Sequence, residues 1–217
     1  ANKRTSTIRE IPNGSITPNN ALIFVITNSL LFIVTTSFIN TICFALSPIT
    51  LIIILGYSYT KRFTHLCHFF LGISLSLTPI GAYLAVSGEF DLIPILFSLS
   101  ILFWVSGFDI IYSLQDEEFD KEQKLYSIPV LIGKKNALRL SAFLHIISIS
   151  ILFLIGNISG FGKWYWIGFS IFSILLVYQH TLVKHNNLDK VNLAFFTTNG
   201  VASVIFGTFV VLEILLQ

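Results

Sequence analysis

Between Asp109 and Ser127 the chain reads DIIYSLQDEEFDKEQKLYS, the densest cluster of charge in an otherwise apolar sequence. Asp109, Asp116 and Asp120 are separated by seven and then four residues. At about 100° per residue, both steps return to nearly the same side of a helix. A helix running that far lines up three carboxylates in one stripe, with Tyr112 and Ser113 on or beside it. A row of carboxylates where an apolar segment gives way to polar sequence suits a divalent cation. Mg²⁺ is the natural choice, since it takes hard oxygen ligands and commonly arrives with a phosphate-bearing substrate. The competing reading is a solvated acidic helix end, because Glu117, Glu118 and Glu122 lie among the aspartates. Asp109 favours function: it falls inside the apolar segment, where carboxylates are expensive and usually mark a working site.

The elements that must position these residues are transmembrane helices. Of 217 residues, 54 % are apolar and only 11 % charged, with a mean hydropathy of +0.81. Apolar runs cover approximately residues 20–39, 41–57, 65–87, 92–114, 137–157, 163–183 and 192–215, most of them near the roughly 20 residues that cross a bilayer. Their continuity excludes a transmembrane barrel, which alternates from residue to residue. The expectation is an all-α polytopic helical bundle in a lipid bilayer. A net charge of +2 gives no case for nucleic acid, and nothing in the sequence implies a protein partner. Cys43 and Cys67 both lie in apolar surroundings and read as small core or lipid-facing residues rather than a disulfide.

Basic residues set the orientation. With residue 1 cytoplasmic, Lys3, Arg4, Arg9, Lys61, Arg62, Lys121, Lys124, Lys134, Lys135, Arg139, Lys184 and Lys190 share the cytoplasmic side, and only Lys163 lies opposite. Trp164, Tyr165 and Trp166 beside Lys163 then form an outer aromatic belt. This gathers the aspartates, the Lys61–Arg62 pair and the Arg4/Arg9 segment at one rim. Carboxylates for a cation beside ammonium and guanidinium groups for phosphate oxygens form a diphosphate-binding constellation. Lys121, Lys134, Lys135, Lys184 and Lys190 read as topological charges. His65 and His68, three apart and with no third ligand evident, read as interfacial packing rather than a metal site. His145, His180 and His185 are placed more weakly still. Asn192 and Asn199 would share a face and meet a polar group across the bundle, and Glu213 would face the outer interface. The chain begins without Met inside a polar stretch, which reads as the loss of a natural N-terminus.

GFDIIYSLQDEEFD followed by SIPVLIGKKNAL resembles the second aspartate-rich motif, DxxYxxxDxxxD, of the UbiA superfamily of intramembrane prenyltransferases. YSYTKRFTHLCHFFLG resembles the segment that usually reads Y-P-Y-x-K-R in the 4-hydroxybenzoate polyprenyltransferase branch. NKRTSTIREIPNGSIT resembles that branch's N-x-R-T-x-x-R-x-[IL]-P-x-G-x-I-[ST] stretch. The three come in the family's order, so the likeness covers essentially the whole chain. Ser58 and Glu10 stand where the branch usually has Pro, and Lys124 where Gly is common.

The resemblance implies seven of nine helices around a central cavity, in a single domain over residues 1–217. Residues 1–19 would form a cytoplasmic cap and residues 115–136 a cytoplasmic loop carrying the second motif. The first aspartate-rich motif is absent, so the piece itself would be inactive. The implied reaction is Mg²⁺-dependent transfer of a polyprenyl group from its diphosphate to a ring carbon of an aromatic acid. That acid would be 4-hydroxybenzoate, or a related one such as a dihydroxynaphthoate, in ubiquinone or menaquinone synthesis. Matching positions make Asp116 and Asp120 metal residues. Asp109 would orient the acceptor or a metal-bound water, with Tyr112 adding a hydroxyl. Lys61 would lie by the diphosphate, assisted by Arg62, Arg4 and Arg9. The expected setting is a bacterial inner membrane with the site open to the cytoplasm. A transporter with an acidic ion-coupling site is the alternative from another class. Against it, there is no internal repeat, and charge gathers at a rim rather than at mid-plane.

Overall fold

The computed structural model describes residues 10–216. Eight α-helices follow in chain order: α1 (Pro18–Ser37), α2 (Thr41–Thr60), α3 (Cys67–Ser87), α4 (Leu92–Ser113), α5 (Glu117–Glu122), α6 (Ile128–Ile158), α7 (Lys163–Leu182) and α8 (Asn199–Leu216). A 3₁₀ turn, Leu114–Asp116, joins α4 to α5, and a π-helical turn, Leu193–Thr198, leads into α8. Among the described residues, seven helical segments are long and apolar enough to cross a membrane. They form an all-α transmembrane bundle, as the apolar runs require: in hydrocarbon each backbone N–H and C=O must be satisfied within its own segment. Large apolar side chains point outward, Val86 at 92 % and Phe38 at 84 % exposure. Such exposure is tolerable only when the surrounding solvent is lipid.

Six of the seven expected spans agree with the helices to within a turn. The exception is the fifth, expected at 137–157, because α6 begins at Ile128. Gly133, at φ 75° and ψ 160°, interrupts α6, so Ile128–Ile132 is a separate helical piece angled away from the span. Glycine supplies the positive φ without a Cβ clash. The 115–136 connection therefore carries α5 and the first turn of α6 rather than open loop.

Local chemistry fixes the ends. Thr17 Oγ1 accepts from Asn20 N–H at 3.2 Å with Pro18 opening α1, and Asp91 Oδ1 accepts from Ile93 N–H at 2.9 Å at the start of α4. Asn40, in the three-residue link Phe38–Asn40, accepts from Cys43 N–H and donates to Leu84 O, both at 2.8 Å. One amide thus caps α2 and ties the hairpin to α3.

The centre of the bundle is α4, packed along α3 on one side and α6 on the other. The approach is close: a Cβ at Gly107 would collide with the His145 ring of α6. Small residues at helix contacts permit this proximity, and hydroxyls then bond across it. Ser100 and Ser148 Oγ lie 2.9 Å apart, and Ser141 Oγ donates to Gly107 O at 2.7 Å. α7 and α8 pair beside this core, joined by Glu213. That residue is buried, at 2 % exposure, which corrects the expectation that it faces the outer interface. Its carboxylate accepts from the N–H groups of Gly162, Trp164 and Tyr165. These are orphan donors at the N-terminus of α7, where a carboxylate also meets the positive end of the helix dipole.

Candidate active site

The C-terminal end of α2, the start of α3, the end of α4 and the π turn before α8 meet at one end of the bundle. They enclose a cleft of about 350 Å³ lined by Lys61, His68, Asp109, Tyr112, Asp116 and Phe195, among others. Lys61, Asp109, Tyr112 and Asp116, which the sequence singles out, are thus brought together. Arg62 is not on this wall. It is exposed, with its guanidinium 5.4 Å over the Tyr59 ring. Arg4 and Arg9 lie outside the described residues, as do residues 1–9 of the expected cap segment 1–19.

The single stripe of three aspartates does not form. Asp116, at φ −99° and ψ 1°, breaks the helical phase between the 3₁₀ turn and α5, and Asp120 does not line the cleft with Asp109 and Asp116. Asp120 is completely buried, and Lys61 Nζ lies 2.7 Å from its Oδ2. A buried carboxylate needs such a partner, since unpaired burial would cost several kcal/mol on the order of magnitude for an isolated ion. The pair fixes the Lys61 stem while its side chain stays 31 % exposed at the cleft. Backbone bonds reinforce the contact: Tyr126 N–H donates to Lys61 O at 2.8 Å, and the His65 ring bonds Ser127 O at 3.0 Å.

α5 closes through a Schellman pair, Leu125 N–H to Asp120 O at 2.8 Å and Lys124 N–H to Lys121 O at 3.2 Å. The motif wants a left-handed residue after the cap, and Lys124 takes it, at φ 52°. The same motif ends α6, where Phe161 N–H bonds Gly156 O and glycine fills the equivalent place, Gly160, at φ 63°. The lysine therefore preserves the turn despite its Cβ. Glu117, expected among solvated acids, is buried instead, with Lys121 Nζ at 2.5 Å and Lys134 Nζ at 3.7 Å. Lys134 thus also holds the α5–α6 contact, beyond its topological charge.

His68 is the residue that sequence reasoning misplaced. It is 3 % exposed, and its Nδ1 lies 2.6 Å from Asp109 Oδ2. His65 turns to Ser127 and packs edge-on against Tyr126 at 4.9 Å, so the two histidines have separate partners. Tyr112 stacks on Phe195 with ring centroids 4.1 Å apart, giving the cleft an aromatic wall. A second pair was also unforeseen: His145 Nδ1 and His180 Nε2 meet at 2.8 Å between α6 and α7, with Trp104 O at 3.2 Å from the other His145 nitrogen. Asn199 Oδ1 accepts from Trp104 Nε1 at 3.3 Å, the cross-bundle contact expected of it. The π turn between Asn192 and Asn199 breaks their shared face and leaves Asn192 exposed.

Among the described residues, no three His, Cys, Asp or Glu side chains converge to hold a metal by themselves. The cleft fits Mg²⁺ in another way. Asp109 and Asp116 offer carboxylate oxygens on one wall, and Mg²⁺ is commonly held by one or two carboxylates with substrate phosphates and water completing the shell.

The profile of the UbiA prenyltransferase family matches residues 1–201. The 4-hydroxybenzoate octaprenyltransferase of Aeromonas salmonicida (strain A449) is 27 % identical over 204 residues, covering 94 % of this chain and 70 % of that protein. The enzyme of the same name from Francisella tularensis subsp. novicida (strain U112) is 27 % identical over 203 residues, covering 94 % and 71 %. Among solved structures, the apo form of a UbiA homolog from Aeropyrum pernix K1 superposes with a TM-score of 0.88 at 27 % identity, covering 98 % of this chain and 78 % of that one. A structure of digeranylgeranylglyceryl phosphate synthase shares the fold, with a TM-score of 0.71 at 24 % identity, covering 94 % and 73 %.

Proposed function

The chain belongs to the UbiA prenyltransferase family, and from that premise we propose that it transfers a polyprenyl group from polyprenyl diphosphate to a ring carbon of an aromatic acid. The acid we assign is 4-hydroxybenzoate or a close relative such as a dihydroxynaphthoate, a step of quinone synthesis. The observation that carries this reading is the cleft itself: Lys61, Asp109, Tyr112 and Asp116 share one polar wall at one end of an otherwise apolar bundle.

In this reading the Lys61 ammonium receives diphosphate oxygens, and its pairing with Asp120 sets it in place before substrate arrives. Such preorganisation stabilises charge developing on the leaving group without reorganisation at the moment of reaction. Asp116 would hold Mg²⁺, and Asp120, the other metal residue the motif implies, is paired with Lys61 at the cleft. Mg²⁺ when bound supplies Lewis-acid stabilisation of the departing diphosphate. Asp109 orients the acceptor hydroxyl, and the stacked Tyr112 and Phe195 rings face the acceptor ring. An apolar groove of about 330 Å³ among α1, α2 and α3, with Phe32, Leu46 and Leu77 on its walls, offers a face for the isoprenoid tail. Arg62, exposed near the cleft, adds positive charge for the anion, a task the family resemblance also gives to Arg4 and Arg9. The basic residues of this end favour the cytoplasmic side of a bacterial inner membrane as its setting.

The test is a product analysis. Membranes carrying the full-length protein are incubated with labelled polyprenyl diphosphate, Mg²⁺ and a panel of aromatic acids. We expect one acid to yield a product prenylated on a ring carbon. No prenylated acid, together with cation-driven solute uptake into vesicles, would replace this reading with transport.

A further inference from the structure

His68 of α3 is joined to two neighbouring helices around the cleft, α4 and α6. Its Nδ1 lies 2.6 Å from Asp109 Oδ2 of α4. Ile128 N–H, the first amide of α6, points at its Nε2 from 3.4 Å. Its own carbonyl accepts from Ser106 Oγ at 3.3 Å. In the neutral ring these contacts select one tautomer. An amide N–H can only donate, so Nε2 accepts and Nδ1 carries the proton that goes to the carboxylate. The ring is almost fully buried, while the Asp109 side chain keeps 20 % exposure on the cleft wall. One carboxylate oxygen is thereby tied to a fixed donor, and the group's remaining acceptor capacity is directed at whatever fills the cleft.

We propose that His68 is a positioning residue for the transfer, a ring clamped by the start of α6 that holds the Asp109 carboxylate in the orientation that receives the aromatic acceptor. The proposal rests on the reading of Asp109 as the acceptor-facing carboxylate. A carboxylate with both oxygens free rotates about its Cβ–Cγ bond, and each misplaced orientation costs productive complexes. A donor on one oxygen selects a single rotamer. Through Ile128 the same ring also registers the SIP turn, and with it α5, against the acceptor side of the cleft.

The experiment compares wild type, His68→Leu, His68→Gln, Asp109→Asn and the double variant His68→Leu/Asp109→Asn, each full-length in bilayers. His68→Leu is expected to lower kcat about 10- to 100-fold, the usual effect of removing an outer hydrogen-bond partner. It should raise the acceptor KM while leaving the KM for polyprenyl diphosphate within about twofold. His68→Gln, whose amide can still donate, should recover most of the loss. In the Asp109→Asn background, His68→Leu should add almost nothing, because both changes remove the same interaction. A structural role alone would move both KM values together and add its loss in either background, and that result overturns the proposal, as does wild-type kcat in His68→Leu. A second readout needs no turnover: ¹⁵N-histidine spectra should show a His68 ring protonated at Nδ1, its resonance shifting in Asp109→Asn. A ring protonated at Nε2 alone, or one indifferent to Asp109→Asn, removes the pairing even if every variant is active. A wild type that transfers no prenyl group to any acid instead sinks the functional reading, and this proposal with it.

Discussion

Asp116→Ala is expected to lower Mg²⁺-dependent prenyl transfer by about 10³-fold, in line with loss of a single preorganised electrostatic stabiliser. The protein should still insert in the membrane and melt close to the wild-type temperature. Asp116 lines the cleft and is only half-buried. It belongs to the 3₁₀ turn and makes no side-chain cap hydrogen bond to α5. Loss of the carboxylate therefore falls on cation and diphosphate rather than on the fold. Asp116→Asn should be nearly as damaging, since a neutral amide is a poor replacement for an anionic oxygen on Mg²⁺. Transfer within a few-fold of wild type in either variant would remove Asp116 from the cation site.

Replacing Lys61 reaches both fold and chemistry. Lys61→Ala leaves the Asp120 carboxylate buried without its cation. The expected cost is about 3 kcal/mol, the low end for breaking a buried pair because the lysine itself is partly exposed. Thermal denaturation in detergent reads this loss directly. The KM for polyprenyl diphosphate should rise by about 10- to 100-fold, with the acceptor KM little changed, because a charge-assisted contact is worth about 1.4–2.7 kcal/mol. The double change Lys61→Met/Asp120→Leu separates the two effects. Stability should return, since a buried ion pair can be replaced by apolar side chains of similar volume, and diphosphate affinity should not. Equal effects on both substrates, or recovered affinity in the double variant, would contradict the role assigned to Lys61.

Much of this architecture is legible in the sequence because it depends on local length and polarity. An apolar run of bilayer length must be helical, which is why α1–α4, α7 and α8 fall where hydropathy puts them. Asp109, Tyr112 and Asp116 share a wall because seven residues make nearly two helical turns, a property of the chain alone. Asp120 escapes that logic: the backbone leaves helical geometry at Asp116, a break invisible in composition, and α5 then buries Asp120 against Lys61. His68 and Asp109 are 41 residues apart, and His145 and His180 are 35 apart. Their meetings depend on how α3, α4, α6 and α7 rotate against one another, which periodicity does not specify. Polar residues on apolar helices were the signal available for both pairs, since a buried polar group in a membrane must find a partner. Glu213 carried the same signal. Read as an outer-interface residue, it is the buried cap that closes the N-terminus of α7. The burial of Glu117 likewise followed from the docking of α5 on α6, not from the run of acids in which it stands.

The central claim is that the cleft between Lys61 and Asp116 binds a prenyl diphosphate with the help of a divalent cation. Binding of a non-ionising polyprenyl thiodiphosphate to the full-length protein in bilayers, titrated with and without Mg²⁺, tests it most directly. Tight binding that is abolished by chelation, restored by Mg²⁺ and weakened about 100-fold or more by Asp116→Ala is the predicted result, a difference of about 2.7 kcal/mol. Binding of equal strength in chelator, or binding that Asp116→Ala leaves intact, would contradict it.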